Sequence, residues 1–171
     1  MLLVKQPIKR FQSGAALVEF AIILPLLLLL VLGICEFGYA FYHLNILNKS
    51  VQDGARYFSD PQYARKGATN GPINVLTNDV NITNTNNLVI YGNTSGTVPQ
   101  LLPESAPVPT VNCVNVNGQI TSCTATPLPQ HIMVTATYNH NFILGNALHN
   151  LTAGTIPSVY SLTASSVLRV E

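Results

Sequence analysis

From Ala15 to Ile34 the chain is an unbroken apolar run in which Glu19 is the only charged side chain. Coiled as a helix, twenty such residues span roughly 30 Å, the thickness of a bilayer's hydrocarbon core. The run is preceded by Lys5, Lys9 and Arg10, with no acidic residue among them. Basic residues at one end hold that end on the cytoplasmic side, so the chain beyond the run is expected outside. A secretory signal peptide is the rival reading, with Gly38-Tyr39-Ala40 as its cleavage site and a mature chain starting at Phe41. Against it stand the length of the run, Glu36 just before that site, and a helical pattern that continues past it.

That pattern is Leu44, Leu47, Val51, Ala55 and Phe58, spaced by threes and fours, with Asn45, Asn48, Lys49, Gln52, Asp53 and Arg56 among the polar residues elsewhere. It predicts one amphipathic helical face. Asp60-Pro61 ends it, because proline disfavours helical geometry at the residue before it. Anchor and amphipathic half together predict one helix from about residue 15 to 58, about 65 Å long at 1.5 Å per residue. Pro25 removes one backbone hydrogen bond and is a candidate kink. The expected organisation is a basic cytoplasmic leader at 1–14, a transmembrane helix at 15–35, an amphipathic continuation at 36–59 and an exported β-rich domain at 60–171.

The exported domain differs sharply in composition: residues 70 to 130 are rich in Asn, Thr, Ser, Pro and Gly. From Gly67 to about Pro109 the sequence reads as loops with short strands, the clearest at Leu88 to Tyr91, ending in a proline-rich surface excursion. Three later segments read as strands. Asn117-Gly118 within 111–123 signals a hairpin. Ile132, Val134, Ala136, Tyr138 and Phe142 share one face of a strand over 132–142, and Leu162, Ala164, Leu168 and Val170 alternate in 158–171. The fold class is therefore α+β, with the long helix packed on a small antiparallel sheet.

Cys113 and Cys123 lie close together in this domain, and outside the cytoplasm such a pair forms a disulfide; two buried free thiols are the alternative. A two-residue Asn-Gly turn sets Cys113 opposite Ser122, whereas a three-residue loop, Asn117 to Gln119, sets it opposite Cys123. The bond therefore predicts the longer loop or a bulge. The remaining cysteine, Cys35, lies in the apolar run and reads as a small hydrophobe.

No catalytic or cofactor-binding constellation is legible. The four histidines are scattered without metal-ligand spacing and read as surface or edge residues. Asp79 and Glu104 fall in loop-like sequence with no apparent partner, and catalysis needs several titratable groups to converge. The net charge of +1, without a basic stripe, argues against nucleic acid as a partner. Only 9% of residues are charged, against roughly 25% in ordinary soluble proteins, and that average hides two different segments, an apolar membrane-lipid anchor and a polar, loop-rich domain. Glu19 is the odd charge. It lies at the interface and reaches water, or it has a partner.

Gly14-Ala15-Ala16-Leu17-Val18-Glu19-Phe20 resembles the processing motif of Tad-type (Flp) pilins and pseudopilins. Ile23-Leu24-Pro25-Leu26-Leu27, Glu36-Phe37-Gly38, Asp53-Gly54-Ala55-Arg56-Tyr57 and the ending Leu162-Thr163-Ala164-Ser165 and Leu168-Arg169-Val170-Glu171 are similar to the TadE-like family. The resemblance covers residues 13 to 59 and, more weakly, the C-terminus; residues 60 to 130 carry none of it. It implies a pilin-like fold and a structural, non-enzymatic role in assembling a Tad/Flp type IV pilus. A prepilin peptidase would cut between Gly14 and Ala15, ahead of Glu19 and Phe20. Glu19 would then pair with the new amine of a neighbouring subunit, a pair favoured in low dielectric, with Glu19 and Pro25 as packing positions. The implied partners are that peptidase, other pilins or pseudopilins and the inner-membrane assembly platform. A membrane-tethered extracytoplasmic binding module is the alternative.

Overall fold

A computed structural model describes residues 13–60, 80–121, 131–142, 144–145, 149–150, 153–155 and 157–169. Its elements are α1 (Ser13–Ser59), α2 (Val80–Tyr91), β1 (Val108–Val114), β2 (Ile120–Thr121), β3 (His131–Asn141) and β4 (Val159–Arg169). The architecture is α+β, as the sequence pattern predicts. Two compact units divide the chain, Met1–Gly38 and Tyr39–Glu171, so the outer part of α1 belongs with the sheet.

In the first unit α1 runs unbroken through Pro25. Its large apolar side chains are exposed, among them Leu17 at 68%, Phe20 at 59% and Ile34 at 65%. The helix is long and apolar enough to cross a membrane, which makes it a candidate span.

In the second unit the same helix buries a face. Leu47, Val51, Ala55 and Phe58 are at most 1% exposed, as their spacing predicts, while Leu44 is only half-buried. Burying side chains as large as Leu47 or Phe58 contributes about 1.5–3 kcal/mol each. They share one core with Val89, Leu102, Ile132, Val134, Ala136, Tyr138 and Ala164, with Leu162 and Leu168 packed against it. The alternation expected in β3 holds: Ile132, Val134, Ala136, Tyr138 and His140 are buried. Phe142 falls just beyond the strand, and Val170 lies outside the described residues. The sheet has the order β2-β1-β3-β4 and is antiparallel at every pairing, with Ala136 opposite Ala164 and Tyr138 opposite Leu162.

Two expectations are corrected. The first concerns Leu88 to Tyr91, expected as a strand and found as the end of α2. The Asn, Thr and β-branched residues of this segment are weak helix formers, but tertiary packing overrides such small preferences. Thr85 and Val89, one turn apart, are fully buried, and α2 lies close against α1 at Gly54. A Cβ added at Gly54 would sit 2.7 Å from Val89 Cγ2 and 3.4 Å from Thr85 Cγ2. Asn84 adds a hydrogen bond from Nδ2 to the Tyr57 hydroxyl, 3.0 Å. The proline-rich excursion is likewise less superficial than expected, since Leu102 and Pro107 are buried. Among the described residues β2 pairs with β1 only at Cys113 and Val114, so one side of β1 at Pro109 has no described partner, a position that admits proline.

The second correction concerns the hairpin register. Cys113 stands opposite Thr121, and Val114 opposite Ile120, matching neither expected register. The loop starts one residue earlier because Asn115 organises it: its Oδ1 accepts the backbone N–H groups of Asn117 and Gln119 at 3.0 and 2.9 Å. The Gly118 N–H donates to the Asn115 carbonyl at 3.0 Å, with Gly118 at φ 79°. This is a turn followed by a left-handed residue, which glycine adopts without cost.

Candidate functional site

Gly14, Ala15, Glu19, Phe20 and Pro25 all lie on the exposed surface of α1. A Cβ added at Gly14 would meet nothing within 4 Å. Nothing described in this chain requires glycine there. Ala15 and Glu19 are four residues apart, on one face of the helix. Of the expected cysteine pair, Cys113 is 1% exposed, and Cys123 lies outside the described residues.

The second unit contains a polar cluster that the sequence-based expectations do not include. His43 and His140, both expected at the surface, are 1% and 0% exposed. Their Nδ1 atoms face one another at 3.2 Å. Glu104, expected without a partner, reaches the same place: Oε1 is 3.8 Å from His140 Nδ1, and Oε2 accepts the Asn141 N–H at 2.6 Å. Aromatic rings enclose the pair. Tyr39 is 4.1 Å from His43 and 5.6 Å from His140 between ring centroids, Tyr138 is 5.4 Å from His43, and Phe142 is 5.1 Å from His140. Asp79, the other acidic residue expected in loop-like sequence, lies outside the described residues.

Burial governs the electrostatics. It holds the His43 imidazole below its ordinary value, with neighbouring His140 acting in the same direction and Glu104 opposing more weakly. Burial also pushes the Tyr138 hydroxyl up to about 12, and the Glu104 charge adds to the rise. The sequence does carry a signal for the cluster. His43 precedes Leu47 by four residues on the buried face, and His140 continues the two-residue period of Ile132 to Tyr138. Among the described residues, no three His, Cys, Asp or Glu side chains are grouped so as to hold a metal ion.

The fold and its exposed N-terminal segment define a class: a chain with one candidate membrane-spanning helix and a compact α+β unit. The family model described as TadE-like protein matches residues 14–56, from the exposed glycine to the arginine beside the Gly54 contact. This bears out the resemblance over the stretch on which it chiefly rests, and the match does not extend into the rest of the second unit. No curated protein and no solved structure matches the chain significantly.

Proposed function

We propose that this chain is a minor pseudopilin, a structural component in the assembly of a Tad/Flp type IV pilus. The observation that carries the reading is the coincidence of the TadE-like match with a helix that displays Gly14, Ala15 and Glu19 unpacked at its start. In this reading α1 crosses the inner membrane with Lys5, Lys9 and Arg10 on the cytoplasmic side, and the second unit lies outside. A prepilin peptidase cuts between Gly14 and Ala15, where the absent side chain leaves the backbone open to it. The chain is the substrate of that cut and does not make it. Glu19 then pairs with the Ala15 amine of a neighbouring pilin or pseudopilin as helices gather at the assembly platform. The size of the second unit favours a minor over a major subunit, by analogy within this class. Cys113 and Cys123 form a disulfide, detectable as the loss of two hydrogens in the non-reduced mass.

Peptide mass mapping of the purified protein tests the reading. The expected result is a mature N-terminus at Ala15, lost when Gly14→Glu blocks the peptidase. An intact Met1 in a fully functional protein sinks the processing step, and a start at Phe41 identifies a signal peptide instead.

A further inference from the structure

We propose that the His43–His140 contact is a proton-sensitive clamp, holding the first turns of the second unit's helical segment to β3 at neutral pH and releasing them in acid. The geometry between the rings is the basis. Two Nδ1 atoms 3.2 Å apart leave room for one hydrogen, so one ring donates and the other accepts. One added proton can settle on the far nitrogen of the donating ring and leave the N–H···N bond intact; a second, on the accepting nitrogen, turns that bond into two N–H groups pointing at each other. Both rings are at most 1% exposed, so water cannot take over, and His140 Nε2 has no hydrogen-bond partner among the described residues. An unsolvated charge without a partner is strongly disfavoured.

The groups facing the pair offer one counter-charge. Glu104, from the segment before β1, lies 3.8 Å from His140 Nδ1 and is held by the Asn141 N–H. It can offset one imidazolium and not two. From α1 the neighbours are the phenols of Tyr39 and Tyr42. Tyr138 faces His43 from β3, and Tyr160 pairs opposite His140 from β4. The depressed His43 value agrees in sign. A base held below its ordinary 6.5 contributes stability that is complete above that value and lost as pH falls through the lower folded value.

The release is local. Leu47, Val51, Ala55 and Phe58 hold the later turns through apolar contacts that do not titrate. Acid should therefore free residues 39–46 while 47–58 stay docked.

Hydrogen exchange of the full chain in detergent micelles, read by mass spectrometry and corrected for intrinsic rates, tests this. Between about pH 7.5 and about pH 5, protection over 39–46 is expected to fall severalfold. Protection over 47–58 should hold. His43→Phe, which keeps an aromatic ring beside Tyr39, should flatten the response, and His140→Gln should do the same should the first variant fold poorly. A pH-independent wild type, or variants that keep the wild-type response, overturns the clamp. So does a stoichiometric zinc ion in the purified protein that both variants lose, because the facing nitrogens would then be ligands.

Discussion

Along α1 identical residue types meet opposite fates. Before Gly38, Leu17, Ile22, Leu26, Ile34 and Phe20 stand 59–73% exposed; after Tyr39, Leu47, Val51 and Phe58 are at most 1% exposed. The glycines divide in the same way. An added Cβ at Gly14, Gly33 or Gly38 meets nothing within 4 Å, whereas at Gly54 it runs into Val89. Among the described residues, the side chains of the first region find little to pack against. Those of the second are chosen for one another. A substitution in the first region should thus be silent in the stability of the folded unit and show itself in insertion, processing or assembly.

Phe58→Ala gives the largest expected effect. Truncating a fully buried phenylalanine costs about 3–5 kcal/mol, from lost transfer energy and the cavity left behind. Phe20→Ala, at a site 59% exposed, should change unfolding of the second unit by less than about 0.5 kcal/mol. Urea titrations in detergent, monitored by circular dichroism, compare them, and similar costs for both would break the contrast. Gly54→Ala comes next. A methyl group 2.7 Å from the stiff, branched Val89 forces the helices apart, at about 1–3 kcal/mol. Gly33→Ala, with nothing to strike, should at most stiffen its own helix. A thermally tolerant Gly54→Ala protein would mean that α2 can shift freely.

The long helix, its buried stripe, the β3 alternation and the exposed N-terminal motif are legible in the sequence, because each rests on a short-range periodicity or on nearby residues. Features that depend on contact at long range are hidden there. α2 is helical because Thr85 and Val89 find Gly54, about thirty positions earlier, and no local preference announces that. The hairpin register turns on Asn115, a polar side chain folding back onto its own loop and displacing the expected Asn117-Gly118 turn. His43 and His140 lie in phase with the buried positions around them. Their polarity nevertheless suggests the surface, because 97 positions separate the two partners that satisfy one another.

Polar groups of the second region sharpen the comparison further, with smaller effects. Asn115→Ala removes two side-chain-to-backbone hydrogen bonds at a turn, worth about 1 kcal/mol together once water replaces them. Loss of β1–β2 amide protection with β3–β4 unchanged would check it, and an unaltered hairpin would show that Gly118 alone sets the turn.

Tyr138→Phe is expected to be the smallest change near neutral pH and the most telling away from it. The ring is fully buried, and its hydroxyl makes no hydrogen bond of good geometry among the described residues. Removing a buried hydroxyl whose contact with Glu104 falls short of good hydrogen-bond geometry is nearly neutral, within about 1 kcal/mol. In alkali the two proteins should part. A phenol raised from 10.0 to about 12 favours the folded state while it stays protonated. Its contribution is complete below the ordinary value and is lost as pH rises through the folded one. Wild type should therefore lose stability across that window, and Tyr138→Phe should lose less, as urea midpoints at successive pH values would report. Parallel decline in both would mean that the hydroxyl reaches water, so that the packed region is more open around β3 than its burial implies.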